Sequence, residues 1–413
     1  MAVKGNNSQR LMSPSSMLSY NLSIVLQTIK KSGPISRAEI ARELQCSKST
    51  ITSSITMLEE LELVCNAGNG NPKTGRKSIL LAFNPTAHYF IAVDLRWKKV
   101  NLAIVDMSGK IHSDLSYQRV ITKPTQLINR MNDKIRTLID ESEIPEVKIE
   151  ALGIMVPGIV DTEEGMVRYS STLGWEDEVD LVGPVKACFN KQITIFNDAN
   201  ALALGEIWTG CGNKYSHLAF IYTEGGVGGA CIYNGKIILG ANAAAGEFGK
   251  ILVTGEQGAQ RSEALLSLPS LLARYGDEEP GEREYEEIVK KAISLVRNGY
   301  LQDSTLKMID EIIDKMAQVI VSIIAIFNPQ VIIINCSYLP DPNSFLEMLT
   351  DRVSGYLPGK PHRSINLLQS CLNDKTEVIG AAAAAISRSR FHFVLQDMDN
   401  QNSNQNYLVS PGK

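Results

Sequence analysis

Nowhere does the 413-residue sequence approach the roughly 18 uninterrupted apolar residues that a membrane-spanning helix needs. The longest candidate, Val319 to Phe327, is short and stops at Asn328-Pro329. Met1 to Met17 is polar and lacks the apolar run of a signal peptide, so a cytoplasmic protein without a membrane partner is expected. There is no C-x-x-C pair either. The seven cysteines, at 46, 65, 188, 211, 231, 336 and 371, are scattered, several of them inside apolar runs, and read as reduced thiols. What remains is ordinary soluble composition, 44% hydrophobic and 21% charged, in a chain too long for one compact core and suited to two or three domains.

Charge is unevenly distributed. The formal net charge is −4, yet residues 1–80 hold ten Lys/Arg against five Asp/Glu. A basic front end on an acidic body suggests that only the front meets a polyanion. Its pattern agrees. Leu22, Val25, Leu26 and Ile29 recur at helical spacing before Gly33-Pro34. Ser36-Arg37-Ala38-Glu39 is a capping box, in which hydroxyl and carboxylate satisfy free amides at a helix start. After the turn at Cys46-Ser47, a third helix through Leu61 points Ile51, Ile55 and Leu58 inward. That leaves Lys48, Ser49, Thr52 and Ser53 outward near its N-terminus, where a recognition helix reaches base edges and phosphates. Leu63-Val64, a Gly/Asn-rich loop ending in Arg76-Lys77, and the run Ile79 to Leu81 read as two strands and a basic wing. Arg76 and Lys77 join the candidate DNA contacts; a winged helix serving protein contacts is the alternative. Short polar side chains on the reading face imply modest affinity per half-site and a homodimer on a double-stranded operator.

From His88 strand signals take over. Tyr89 to Val93, Val100 to Val105 and the turn at Ser108-Gly109 are echoed by Leu218 to Tyr222, Ala230 to Tyr233 and the turn at Asn234-Gly235. The repeat, with helices between, suggests two related α/β lobes around a cleft. Short signatures sharpen it: Gly153 to Asp161 running into a Pro-Gly turn, Leu173-Gly174-Trp175, Asn197-Asp198-Ala199-Asn200 with Leu204-Gly205-Glu206 beyond, and Gly246-Glu247-Phe248-Gly249. In order and spacing, from about residue 88 to 388, the sequence resembles the ROK family of repressors, open-reading-frame proteins and sugar kinases. With the winged helix in front, it is similar to the xylose-repressor and N-acetylglucosamine-repressor branch.

The resemblance implies an actin-like (ribonuclease H-like) ATPase-type body in two lobes and a small sugar or sugar-derivative effector in the cleft. Carboxylates and amides suit adjacent sugar hydroxyls, each both donor and acceptor. By resemblance, Asn197, Asp198 and Glu247 match the family's sugar-contacting positions, and in its kinases the residue at Asp198 is the general base. Trp175 offers a flat face for the ring or, alternatively, packs at the hinge. Several departures argue against an enzyme. Where the kinases carry D-x-G-x-T for phosphate, this chain has Asp94-Leu95-Arg96-Trp97-Lys98, without the glycine that lets backbone approach. The second phosphate segment reads Glu224-Gly225-Gly226-Val227-Gly228-Gly229, with its hydroxyl gone, and after Asn328-Pro329-Gln330 the chain reaches Asn335-Cys336 rather than a glycine pair. The family's zinc loop is also missing: Lys250 replaces the usual His, and Ile251 to Ser267 has no Cys or His. No metal and no cofactor are expected, and Lys250 becomes a candidate contact to the effector or to Glu247.

The expected layout is α/β with an N-terminal winged helix-turn-helix: a flexible arm at 1–17, the DNA reader at 18–84, lobe 1 at 88–200 plus 376–390, lobe 2 at 201–375, and a disordered Asn/Gln/Ser-rich tail at 391–413. The expected activity is sugar-responsive repression of carbohydrate-utilisation genes. Its rivals are a sugar kinase with a DNA-binding appendage and a regulator answering to a phosphosugar or a protein partner, the latter suggested by Arg96, Lys98 and Lys250.

Overall fold

A computed structural model describes residues 14–69, 78–95, 99–119, 123–223, 225–255, 258–275, 303–336, 342–357, 366–372 and 377–395. Helix α1 (Pro14–Ser32) starts inside the span expected to be a flexible arm and buries Leu22, Val25, Leu26 and Ile29 along one face. Strand β1 (Ile35–Ser36) leads into α2 (Arg37–Glu43). The capping box forms there: Ser36 Oγ accepts from Glu39 N at 3.3 Å, and Glu39 Oε2 accepts from Ser36 N at 3.0 Å. Helix α3 (Lys48–Glu60) is capped by Ser47, whose Oγ accepts from Thr50 N at 3.1 Å, and its Ile51, Ile55 and Leu58 are buried. Strands β2 (Val64–Asn69) and β3 (Ile79–Phe83) complete an antiparallel sheet in the order β1-β3-β2, the winged-helix layout.

Lobe 1 follows with β4 (Tyr89–Asp94), β5 (Lys99–Asp106), β6 (Ile111–Gln118), helix α4 (Pro124–Glu141) and β7 (Ile149–Val156). A small antiparallel flap of β8 (Ile159–Asp161), β9 (Met166–Tyr169) and β10 (Val179–Asp180) precedes α5 (Val182–Cys188), β11 (Gln192–Asn197) and α6 (Asp198–Trp208). Lobe 2 comprises β12 (His217–Thr223), β13 (Val227–Tyr233), β14 (Lys236–Ile237), the hairpin β15 (Leu252–Gly255) and β16 (Gly258–Arg261), α7 (Glu263–Leu266), α8 (Leu268–Tyr275), α9 (Asp303–Phe327), β17 (Val331–Cys336), α10 (Pro342–Tyr356) and β18 (Asn366–Gln369), after which α11 (Glu377–Arg388) returns to pack on the lobe 1 sheet. The main sheets have the orders β11-β7-β4-β5-β6 and β18-β17-β12-β13-β14. Each is two parallel pairings continued by an antiparallel meander, in the same sequence of roles. The strand–turn repeat read in the sequence is therefore one topology used twice.

Helices α6 and α11 pack against each other. A Cβ on Gly380 would stand 2.8 Å from the Ala201 carbonyl oxygen, and one on Gly153 would overlap the Ala381 carbonyl at 1.9 Å. Only glycine admits such backbone approach, and Ala381 to Ala385 are buried as a result.

The expected tail boundary at 391 is too early. Phe391, Phe393, Val394 and Leu395 are buried, and His392–Leu395 forms a single 3-10 turn against α1, with His392 Nε2 3.2 Å from Ser19 Oγ. Four apolar side chains in five residues bury area that a polar tail lacks; the Asn/Gln/Ser-rich remainder, 396–413, lies outside the described residues. So do 276–302. One hydrophobic cluster runs from α1, α2 and α3 through β4 and α6 to α11 and Leu395, so reader and body share a core.

Candidate DNA-reading surface and effector cleft

On α3, Lys48, Ser49, Thr52 and Ser53 are all exposed, as the helical spacing requires once Ile51, Ile55 and Leu58 face inward. Thr56, one turn beyond Thr52, is exposed on the same helix and was not singled out from sequence. Thr52 Oγ1 donates to Lys48 O at 2.8 Å and Thr56 Oγ1 to Thr52 O at 3.0 Å, bonds that a base edge or phosphate can replace. Arg37 donates to Glu59 Oε1 at 2.6 Å and ties α2 to α3, fixing the angle between the two helices. Arg76 and Lys77 of the wing lie outside the described residues.

In the body, β11 ends at Asn197 and α6 begins at Asp198. Asn197 caps the helix, its Oδ1 accepting from Asn200 N at 3.2 Å, while its Nδ2 donates to Gly158 O at 2.9 Å. The Pro-Gly turn of one motif is thus tied to the helix start of another. Gly158 has φ +116°, and a Cβ there would lie 2.2 Å from Tyr169 O, which explains the glycine. Asp198 is half-buried and accepts from Ala199 N at 2.9 Å.

Glu247 precedes the 3-10 turn Phe248–Lys250 in lobe 2, in a loop packed against β13. Beside Asp198, Ala199 packs on Gly228; a Cβ on Gly229 would strike the Phe248 ring, and one on Gly246 would stand 2.4 Å from Gly229 O. The glycines of β13 let α6 and the Glu247 loop close on either side of one strand. Burial pushes the half-buried Glu247 carboxyl above its ordinary range; Lys250 opposes the shift and Glu263 adds to it.

One sequence-derived assignment is corrected. Trp175 is only 2% exposed, sits in the core of lobe 1 and pairs with Ser170 across a tight turn with Gly174 at φ +69°. It has no free face for a sugar: the Leu-Gly-Trp segment buries both its large side chains. Lys250 is exposed, places Nζ 3.1 Å from Glu263 Oε2 and acts through its charge on Glu247 as well. Of the kinase phosphate positions, Asp94 is fully buried, accepting from Asn101 Nδ2 at 3.2 Å, and Leu95 is in the core. Arg96, Trp97, Lys98 and Glu224 lie outside the described residues. Val227 to Ala230, the rest of the second phosphate segment, is strand β13.

Sequence reading also missed the junction between reader and body. His88 sits 2.8 Å from Leu61 O through Nε2 and 2.8 Å from Glu150 Oε1 through Nδ1, and its ring lies 4.6 Å from that of Phe391. Glu150 also accepts from Arg390 Nη2 at 2.7 Å. The partners are dispersed from 61 to 391, so no local pattern announces them.

The ROK profile matches residues 90–388. The chain belongs to the ROK family. Among curated relatives, the xylose repressor of Caldicellulosiruptor bescii is 28% identical over 384 residues, covering 89% of this chain and 95% of its own length. The xylose repressor of Bacillus subtilis is 25% identical over 375 residues, with 89% and 94% covered. A glucokinase of Thermotoga maritima matches at 25% over 311 residues, 71% of this chain and 96% of its own, so the ROK body is shared with enzymes. In three dimensions, a ROK-family transcriptional regulator described as a homologue of the Escherichia coli MLC protein superposes with a TM-score of 0.72, at 19% identity, over 92% of this chain and 98% of that one. That structural likeness establishes the fold. Among the described residues, no helix is long and apolar enough to cross a membrane.

Proposed function

We propose that the protein is a sugar-responsive transcriptional repressor of carbohydrate-utilisation genes: the winged helix reads an operator and the ROK body binds a small sugar between its lobes. The observation that carries this reading is the union, in one chain, of an exposed Lys/Ser/Thr recognition face with a two-lobed ROK body that has Asn197-Asp198 at a helix start and Glu247 in a loop against β13. Xylose repressors matching nearly full length, reader included, support it. The chain acts as a homodimer on a palindromic operator, two α3 helices entering successive major grooves, and works in the reducing cytoplasm.

In this reading Asp198 and Glu247 accept hydrogen bonds from adjacent sugar hydroxyls, and Asn197 holds the Pro-Gly turn and helix start in register around them. The sugar binds the two lobe arrangements unequally, and that difference reaches the reader through the shared core. Kinase chemistry is lost because the phosphate turn has no glycine at Arg96 and because Asp94 is consumed in a buried hydrogen bond.

Thermal unfolding against a panel of sugars tests the site. A ligand at 100 times its dissociation constant stabilises by about 2.7 kcal/mol. A shift with one neutral sugar, abolished by Asp198→Ala, is the expected result; a shift that survives the substitution rejects the site. The glucokinase relative makes a working kinase the competing reading, and ATP-dependent phosphorylation of any sugar in a coupled assay would establish it.

A further inference from the structure

Outside the cleft, the most unusual constellation is at the far end of α6. Glu206 is a fully buried carboxylate. Its Oε1 accepts from Ser370 Oγ at 2.5 Å, Cys371 N at 3.0 Å and Leu372 N at 3.3 Å. Its Oε2 accepts from Cys211 N at 2.9 Å and from the Cys211 thiol at 3.3 Å. A Cβ on Gly210 would lie 2.0 Å from that oxygen, so glycine keeps the space into which the carboxylate reaches. The Cys371 thiol completes the group: one carboxylate oxygen and two sulfurs, all within 4.8 Å of one another, with Cys371 exposed.

We propose that Glu206, Cys211 and Cys371 form a three-ligand site for a thiophilic divalent cation of the zinc class, separate from the effector cleft. Three arguments carry it. The donor set, two sulfurs and one oxygen with an exposed side for water, is that of a four-coordinate zinc-type ion. The geometry is near closure: Zn–S of about 2.3 Å and Zn–O of about 2.0–2.2 Å put tetrahedral ligand atoms about 3.5–3.8 Å apart, so the sulfurs and oxygen draw together by about 1 Å. That adjustment is open to the exposed Cys371 side chain. Third, the charge is conserved. A dication that displaces the two thiol protons leaves the buried site with the single negative charge it already carries on Glu206, so binding adds no net charge to a low-dielectric region. The ion replaces the thiol proton now shared by Cys211 and Glu206, while the backbone amides keep their bonds to the carboxylate and orient it.

The ion would join α6, which begins at Asp198, to the segment that follows β18 at the edge of the lobe 2 sheet. Its ligands are 5 and 160 positions apart, which is why no Cys/His spacing in the sequence reveals it.

Titration of the reduced full-length protein with Co²⁺ is the test. One equivalent is expected to produce the near-ultraviolet thiolate-to-cobalt charge-transfer band and the visible bands of tetrahedral cobalt, both bleached by Zn²⁺. Cys371→Ser, at an exposed position, is expected to cut the charge-transfer band to about half and weaken affinity at least as much as loss of an outer-shell partner does, about 10–100-fold. Cys46→Ser, in the reader, should change neither. Absence of the band, or a band untouched by Cys371→Ser, overturns the proposal. So does a mass lower by two hydrogen atoms with no cobalt band, which would make the pair an oxidised disulfide. Because Asp198→Ala leaves these ligands intact, it should keep the cobalt signal whether or not the sugar reading holds.

Discussion

At the scale of single residues, Lys30 shows how the junction between reader and body is balanced. It lines a cavity of about 390 Å³ with Gln27 and Phe83 from the reader and Ser108, Trp208 and Thr209 from the body, its Nζ 4.6 Å from the centre of the Phe83 ring. Burial lowers its pKa from 10.5 to about 8, against the attraction of Asp106. Folding therefore disfavours the charged form. The penalty is absent above the unfolded pKa, grows as pH falls from about 10.5 to about 8, and is fully in place below that. Lys30→Met, which retains the stem, should stabilise the protein at pH 7 by on the order of 1–3 kcal/mol and leave it unchanged near pH 11. Chemical denaturation at the two pH values checks the difference; equal effects at both would remove the burial argument. His88 is the complementary case. His88→Ala removes the link from Leu61 O to Glu150 and should leave DNA affinity intact while reducing the effect of sugar on it, read by titrating operator binding with and without effector.

At the scale of elements, the helices of the reader were legible because their determinants are local. The Ser36–Glu39 capping box and the Ile51, Ile55, Leu58 spacing fix α2 and α3, and the structure has both. Ser36→Ala should cost about 1 kcal/mol, measured as a lower midpoint of thermal unfolding. The paired sheets were legible through their repeated hairpins and turns. The segment 391–395 was not: its apolar residues adjoin a polar tail, and only the tertiary groove beside α1 gives them a place. A chain ending at Arg390 should lose several kcal/mol, since four apolar side chains leave the core, and should unfold at lower temperature than one ending at Leu395. Equal midpoints would mean that the docking carries no weight. Trp175 failed as a sugar contact for a related reason, because a tight turn after Ser170 rolls its ring inward, a tertiary outcome that motif order does not encode.

At the scale of the whole molecule, the reader is continuous with the body through the cluster that runs from α1 to α11. Helix α6 carries Asn197 and Asp198 at its start and packs on α11, and the chain beyond α11 docks on α1. A change in lobe angle thus has a continuous packed route to the recognition helices. The candidate site positions Asn197-Asp198 and Glu247 stand out in the sequence because short local motifs carry them, whereas His88 and Glu206 meet partners dispersed along the chain and do not. Lys48→Ala should weaken operator binding, with a smaller salt slope by about one phosphate contact, without altering the sugar-induced thermal shift.

The most direct measurement is operator affinity, by fluorescence anisotropy on a duplex selected from a random library, with and without the sugar found by thermal shift. The expected result is a change in affinity of about 5- to 150-fold in the wild-type protein and none in Asp198→Ala, which still binds the duplex. A protein that selects no duplex, or whose affinity ignores the sugar it binds, would contradict the account.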